Sequence, residues 1–499
     1  MTRWFFRTLA AACLPALAAC AVGPDYQVPP PPAVTRYTET ELPAQTASPG
    51  TSAGQPQRLV AGLDLQAEWW TMFHSEKLNG LVAEAIKNNP NVAAAQASLR
   101  AAREIVIAQR AAFFPSITGG LSATHNQDSQ VLAPTLASNA LHYDLYAAHV
   151  GVSFTPDIFG LNSRAVESLD AQASIQRWQL EATYLTLVSN VVVAAITEAS
   201  LRDQIADAED IVRMETRVRD MTARAAALGQ LSRVDVAAQD TALAQAQATL
   251  PPLRKQLAQA RDQLTALLGR LPPDAPREQL VLDDLHLPAD VPLSVPSSLV
   301  DRRPDVRAAE AALHAASAQI GVSIASALPQ ITLTATEGSA ATQLAQWFGP
   351  GGGFWSVGGE VAGTLLDAGA SWHKVSAARR TYEQMTALYR AAVVSAFQNV
   401  ADSLGALTSD ADALNTAVAA QHAAALTLSL VQQQQRLGQV SQLAALNAEQ
   451  AYQQTTINVV QARASRLSDT VALYQALGGG WWNRPAQADA ALLGEDRGR

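Results

Sequence analysis

The fold is decided by residues 161–228, which begin Leu161-Asn162-Ser163-Arg164 and run to Leu228 without a proline or a glycine. Residues 371–437 behave in the same way, with no proline and with Gly405 as their single glycine. At a rise of about 1.5 Å per residue, each stretch predicts a helix on the order of 100 Å long. Helices of this length pack side by side in coiled coils or bundles, so both stretches predict a helical assembly rather than a globular core.

Both long stretches end in the same signature, Leu228-Gly229-Gln230 in the first and Leu437-Gly438-Gln439 in the second. Glycine just past a helix end readily takes the left-handed conformation that reverses the chain. Ser232 and Ser441 follow at the right distance to cap a returning helix. The long helices are predicted over 161–228 and 371–437, and the returning helices over 232–268 and 440–477.

Outside these helices, the sequence contains an internal duplication. Asn89-Pro90-Asn91-Val92 recurs as Arg303-Pro304-Asp305-Val306, and the two segments then run in step as far as Pro115 and Pro329. A helical stretch precedes this proline in each half, and the proline ends it because it lacks an amide donor. The period is far longer than a solenoid unit, so it indicates a duplicated half-domain.

Strand-like alternation follows each proline. Ile331, Leu333 and Ala335 alternate with threonines, and segments of about ten residues with a period of two are typical of strands that face lipid on one side. A small soluble sheet would show the same alternation. Four strands cannot close a barrel, for which about eight are the usual minimum, so a barrel would have to be shared by several chains. The strands are predicted at about 116–127, 145–156, 330–340 and 354–366.

The N-terminus predicts export and lipidation. It has the basic start and short apolar stretch of a secretory signal, and Leu17-Ala18-Ala19-Cys20 matches a bacterial lipobox. Lipid on Cys20 would anchor the chain; an ordinary cleavage site with an incidental cysteine is the alternative. No other cofactor is expected. The predicted divisions are a signal peptide at 1–19, a lipidated N-terminal arm at 20–75, a first repeat at 76–270, a linker at 271–296, a second repeat at 297–480 and a C-terminal tail at 481–499.

Composition and motifs exclude several classes of protein. The net charge of −9 argues against a nucleic-acid partner, because phosphate binding needs clustered lysine and arginine. Neither a Gly-x-Ser-x-Gly nor a His-Glu-x-x-His motif occurs, so an enzyme is not expected and no catalytic residue is assigned. His125, His142 and His149 lie near the first predicted hairpin without the spacing of metal ligands, so no metal is expected. No apolar run long enough for a transmembrane helix follows the signal peptide.

Three further strings carry a family resemblance. They are Cys20-Ala21-Val22-Gly23-Pro24-Asp25-Tyr26 at the mature start, Trp69-Trp70 followed by Ala85-Ile86-Lys87-Asn88-Asn89-Pro90, and Pro296-Ser297-Ser298-Leu299-Val300-Asp301-Arg302-Arg303-Pro304-Asp305-Val306-Arg307-Ala308-Ala309-Glu310. With these strings the chain resembles the TolC-type outer-membrane efflux protein family, and within it the NodT branch of lipoproteins. The resemblance covers the chain from Cys20 to about Trp482.

The resemblance implies a mixed α and β fold and a homotrimer. Each protomer would give four strands to a twelve-stranded transmembrane β-barrel and long helices to a periplasmic α-helical barrel. The trimer would sit, lipid-anchored, in the outer membrane of a Gram-negative bacterium. It would work with a periplasmic adaptor and a proton-driven inner-membrane pump to export drugs or other small molecules. A duct for protein secretion, or a structural coiled-coil lipoprotein, remains as an alternative.

The resemblance also implies sites at the two helical turns. Gly229 and Gln230 in one turn, and Gly438 and Gln439 in the other, would dock the adaptor. A periplasmic gate is expected just past the turns, where family members often carry acidic side chains near the second turn. Here Ala444 and Asn447 stand at those positions, which puts an electrostatic gate in doubt. The gate is therefore assigned to Leu443, Asn447 and Asp235, with helix-dipole stabilisation as the alternative role of Asp235.

Overall fold

The structure is a computed structural model that describes residues 21–494, apart from 52, 130, 132–135, 137, 277–279, 294 and 295. The chain divides into two compact units. Unit 1 comprises Met1–Val28, Arg100–Ile175 and Ala309–Tyr389, and unit 2 comprises Pro29–Leu99, Gln176–Ala308 and Arg390–Arg499.

Helices and strands alternate along the chain in the order expected for two repeats, which confirms the mixed α and β class. The elements are β1 (Arg58–Ala61), α1 (Glu76–Asn88), α2 (Pro90–Arg110), β2 (Ser116–Gln127), β3 (His142–Phe154), α3 (Leu161–Ala227), α4 (Arg233–Leu267), β4 (Asp290–Leu293), α5 (Pro296–Arg302), α6 (Pro304–Ala325), β5 (Gln330–Ala341), β6 (Gly353–Ala362), α7 (Ala370–Arg436), α8 (Gln442–Ala476) and α9 (Ala486–Leu492).

The two repeats have helices of equal length. α3 and α7 each contain 67 residues, and α4 and α8 each contain 35. The long helices begin and end within a residue of the predicted bounds, because the glycines that end them, Gly229 and Gly438, act on the adjacent turn alone. α8 begins at Gln442 rather than at 440, since Ser441 is its N-cap and its side chain accepts a hydrogen bond from the amide of Ala444.

Two of the helices are apolar enough to resemble membrane spans. α3 and α7 each contain an 18-residue window whose hydropathy is that of a membrane-spanning helix, although no such helix was predicted from the sequence. In α3, 61% of that window is buried inside the protein, as in the core helix of a soluble domain. In α7 only 11% is buried, so the described residues leave most of this window uncovered. Both helices have 67 residues, whereas a span needs about 20.

The duplicated Asn89-Pro90 and Arg303-Pro304 strings perform the same structural task. Asn89 Nδ2 donates to the carbonyl of Leu267 at 2.9 Å, and Arg303 Nη1 donates to the carbonyl of Ala476 at 3.1 Å. Each residue thus satisfies a carbonyl at the end of the returning helix of its own repeat, where no intrahelical donor remains. Asp305 holds the Arg303 guanidinium at 2.6 and 2.9 Å. In each repeat, this string therefore joins the first helices to the end of the returning helix.

Unit 1 contains the four-stranded antiparallel sheet, in the order β2-β3-β5-β6. β3 begins at His142 rather than at 145, since His142 still pairs with Gln127 of β2. β6 ends at Ala362 rather than at 366, because Ala362 is opposite Gln330, the first residue of β5, and no partner strand remains beyond it.

The N-terminal arm and the linker each contribute one short strand to a two-stranded sheet. β1 of the arm pairs in parallel with β4 of the linker, and Arg58 Nε donates to Asp290 at 2.8 Å across the pair. Arg466 of α8, which is fully buried, donates from Nη2 to Thr46 and to the carbonyl of Gln55, both at 2.8 Å. The arm is therefore bound to the helices of unit 2.

The C-terminal tail is also folded as far as the structure describes it. Trp481–Asn483 form a short 3-10 helix and α9 follows. The Arg484 guanidinium between them makes a two-bond ion pair with Glu181 of α3, at 2.8 and 2.9 Å. The side chain of Arg484 is 7% exposed and that of Glu181 is 1% exposed. A buried ion pair of this kind ties the tail to the long helix.

Candidate functional site

The sheet of unit 1 has one apolar and one polar face. On β6, Val357 and Ser356 point to opposite faces, as successive strand residues do. Val357 is in register with Ala335 and Val152, whereas Ser356 is in register with Thr336 and Gly151. The exposed large apolar side chains of this face are Ile117, Leu121, Val150, Leu333, Trp355, Val357 and Val361. Glu337, in register with Val150 and Trp355, is an exposed carboxylate on the same face. Exposed apolar side chains on alternate positions of every strand are the pattern of strands in contact with lipid.

The sheet has two open edges. Within the described residues, β2 pairs only with β3, and β6 pairs only with β5. An unpaired backbone group costs several kcal/mol in a hydrocarbon environment. If the sheet faces lipid, both edges therefore need a further strand as partner.

The first described residues, from Ala21 onward, are attached to unit 1. The amide of Val22 donates to the carbonyl of Phe159 at 3.2 Å, and the buried Arg164 guanidinium donates to Asp25 at 2.7 Å and to the carbonyl of Val22 at 3.2 Å. Tyr26 stacks on His314, with ring centroids 4.2 Å apart. Cys20, the predicted lipidation site, lies outside the described residues. The residues that follow it are fixed beside the start of α3, just past β3.

The first tip, Leu228–Leu231, closes α3 through a pair of glycine-dependent bonds. The amide of Gly229 donates to the carbonyl of Ala226 at 3.0 Å, and the amide of Gln230 donates to that of Ala225 at 2.9 Å. This is the Schellman arrangement, in which the residue past the helix is left-handed, and Gly229 has φ +76°. Leu228 at the turn is 76% exposed.

Asp235 has a structural role at the first tip. Its carboxylate accepts hydrogen bonds from the amide and the hydroxyl of Ser232, at 2.9 and 2.7 Å, and Ser232 Oγ accepts from the amide of Asp235 at 3.3 Å. The bonds from Ser232 lower the pKa of Asp235. This reciprocal capping box alone explains why an aspartate stands at position 235. A role of Asp235 in gating stays a prediction.

The second tip, Leu437–Val440, repeats the turn of the first. Gly438 has φ +73°, and its amide donates to the backbone carbonyl of Gln435 at 3.0 Å. The amide of Gln439 donates to the backbone carbonyl of Gln434 at 2.9 Å. Leu443 and Asn447 follow on the first turns of α8, and both are exposed. Because they are four residues apart, they share one face of the helix. The structure thus brings these two predicted gate residues together on one exposed stripe.

A buried acidic group that was not predicted from the sequence lies in the helices behind the tips. Glu215 of α3 and Gln239 of α4 are each 2% exposed, and Gln239 Nε2 donates to Glu215 at 2.5 Å. Glu449 of α8 is 8% exposed. Burial raises the pKa of both glutamates, and the charge of Glu215 further raises the pKa of Glu449. Their helical spacing offers no signal of burial, because both face neighbouring helices whose packing is tertiary.

No group of three or more potential metal ligands occurs among the described residues. Of the histidines near the hairpin, His125 is within 2.8 Å of Asp144 on the neighbouring strand, which suits an exposed ion pair.

Known proteins share this arrangement. The sequence profile of the outer membrane efflux protein family matches residues 81–270 and 295–479. The toluene efflux pump outer membrane protein TtgC of Pseudomonas putida is 28% identical over 475 residues, which cover 95% of this chain and 95% of the relative. The outer-membrane channel OprN superposes with a TM-score of 0.80 at 25% identity, over 93% of this chain and 100% of that chain.

A third comparison concerns the fold alone. The open state of the MtrE outer membrane channel of Neisseria gonorrhoeae superposes with a TM-score of 0.78 at 24% identity, over 93% of this chain and 99% of that chain. The family profile spans both repeats, including the sheet and the two tips. The chain therefore belongs to the outer membrane efflux protein family and is the outer-membrane channel of an efflux pump.

Proposed function

We propose that three copies of this chain form one channel that exports small molecules, including apolar organic compounds. The open-edged, two-faced sheet carries the proposal. Two copies would supply eight strands, whose interior side chains fill the barrel. Three copies supply twelve strands and leave a bore lined by the polar face. The exported class is inferred from the relative TtgC, which is named for toluene efflux.

Two partners would complete the export path. A periplasmic adaptor would extend the channel across the periplasm, and a proton-driven inner-membrane pump would supply the energy. The tips around Gly229 and Gly438 are the proposed docking points, because each presents an exposed leucine beside its turn, Leu228 or Leu437. Exposed apolar side chains at a helix turn suit a protein partner that covers them. Leu443 and Asn447 are proposed to narrow the periplasmic mouth.

The stoichiometry is tested by cross-linking the open edges. The double variant Ser122→Cys and Ser356→Cys places a thiol on β2 and on β6, and Cys20 is the only cysteine expected in the mature chain. A flexible bis-maleimide should join neighbouring copies into covalent trimers. Ser122→Cys alone, with one thiol per copy, should stop at dimers. Products of the double variant that end at dimers, or a monomeric protein in the membrane, would contradict the proposal.

Lipidation is predicted to depend on Cys20 alone. Cys20→Ala should abolish labelling by radioactive palmitate, whereas Cys13→Ala should retain it, because Cys13 leaves with the signal peptide. Export should fall only in part, since strand insertion also holds the chain in the membrane. Labelling that persists in Cys20→Ala would show that the lipid is attached elsewhere.

Opening of the mouth is predicted for the double variant Leu443→Ala and Asn447→Ala. Three copies of each side chain at one level would narrow the bore, and truncating both should raise single-channel conductance of the purified trimer. Val234→Ala is a matched control, because Val234 is similarly exposed on the first turn of α4. If the double variant conducts like the control, the constriction lies elsewhere, and Asp235 becomes the next candidate.

A further inference from the structure

One row of the sheet alternates glycines with rings. Gly120 of β2, His149 of β3, Gly338 of β5 and Phe354 of β6 are direct register partners. All four therefore belong to the same face, and this is the polar face that also carries Ser356.

Each ring lies over the neighbouring glycine. A Cβ added to Gly120 would come within 2.8 Å of Nε2 of His149. A Cβ added to Gly338 would come within 2.7 Å of Cζ of Phe354 and 2.9 Å of Cβ of His149. Real Cβ atoms do not approach other atoms so closely, so the missing side chains make room for the rings. His149 and Phe354 consequently lie along the sheet instead of standing away from it.

The rest of this face is small and polar near the row. The register partners on either side are Thr118 with Gly151 and Thr336 with Ser356, and Ser122 with Ala147 and Ala340. Phe354 is 40% exposed on this face, although exposed phenylalanine is unfavourable in contact with water. Two rings among hydroxyl and methyl side chains are the bulkiest features of this part of the polar face.

We propose that this row is a ring layer that sets the clearance of the channel within its strand region, and that Gly120 holds it open by letting His149 lie against the wall. The inference rests on the proposed barrel, in which the polar face lines the bore. Three copies would place six rings at this level. Cargo that passes the barrel then meets the flat sides of His149 and Phe354, which favour contact with planar apolar compounds.

Stabilisation of the sheet is the competing explanation, since a ring over a strand glycine also shields the backbone. The two explanations differ in what a methyl group at Gly120 does. The three atoms nearest to that methyl all belong to the His149 ring, so turning the ring relieves the closest contacts without moving a strand. Gly338 is unsuitable for this test, because its added Cβ would also meet the backbone carbonyl of Ala148.

The experiment measures the conductance of purified trimers for potassium and for the larger cation N-methyl-D-glucamine. Every channel compared carries Leu443→Ala and Asn447→Ala, so that the proposed periplasmic mouth does not limit the current. Gly120→Ala should lift the His149 ring into the bore and lower the ratio of large-cation to potassium conductance. Gly358→Ala is the matched control, because its added Cβ would be 3.6 Å from the nearest atom on the same face, an ordinary contact. Phe354→Ser should raise the ratio in an otherwise unchanged channel.

Rescue decides between clearance and stability. Adding His149→Ser to Gly120→Ala removes the lifted ring, so the conductance ratio should return to that of the channel with Gly120 and His149 intact, or exceed it. A sheet-stabilising role predicts the opposite, a further loss of trimer. The proposal is overturned if Gly120→Ala matches Gly358→Ala, or if its loss persists without the ring. Wild-type trimers that form no channel at all would instead refute the proposed function.

Discussion

Replacing Val357 by lysine is expected to abolish assembly of the channel in the outer membrane. Val357 is in the middle of β6 on the apolar face, 76% exposed, opposite Ala335 and in line with Val152. A lysine facing lipid near the bilayer midplane costs about 2–4 kcal/mol. In the proposed trimer, three copies would repeat that cost in one barrel, so the penalty would approach the whole stability of a typical domain.

Ser356→Lys is the matched control, because it places the same charge one residue away on the opposite face. A lysine that points into a water-filled bore keeps its hydration, so this variant should assemble normally. The measurement is the amount of heat-resistant trimer recovered from outer membranes. If both lysines are tolerated equally, or if Ser356→Lys is the damaging change, the apolar face does not face lipid.

The helices and strands were predictable because their signals are local. α3 and α7 are long because neither contains a proline and Gly405 of α7 is their single glycine, and they end where Gly229 and Gly438 follow. Strand alternation identified the four long strands for the same reason. Errors at strand ends, as at His142 and Ala362, arise where the partner strand rather than the residue itself decides the last pair.

Contacts between distant segments were not predictable. β1 and β4 are short, β4 contains Pro292, and nothing in either segment points to the other across the chain. The ring layer has the same origin, because it depends on the register that puts Gly120 opposite His149. At the tips, the sequence left Asp235 with two readings, and only the hydrogen bonds to Ser232 give it a structural account.

The tail provides the second large effect, since Arg484→Ala is expected to destabilise unit 2 by about 3–5 kcal/mol. The variant leaves Glu181, whose side chain is 1% exposed, as an unpaired buried carboxylate. Arg484 also lies 4.6 Å from the ring centre of Tyr184 and donates to Asp489 at 3.1 Å. Burial raises the pKa of Tyr184 to about 12, so its hydroxyl stays neutral beside the ion pair.

Two further variants separate the buried pair from charge in general. Arg254→Ala removes an exposed ion pair with Glu209 and should cost about 0–1 kcal/mol. The double variant Arg484→Met and Glu181→Leu removes both buried charges and should recover most of the loss, because apolar replacements of a buried pair are often neutral or stabilising. Thermal melting of the purified protein compares the three. A melting point for Arg484→Ala equal to that of Arg254→Ala would mean that Glu181 finds water or another donor when its partner is lost. The ion pair would then be dispensable, and the tail would be held by the indole of Trp481, which donates to the carbonyl of Arg302 at 2.7 Å.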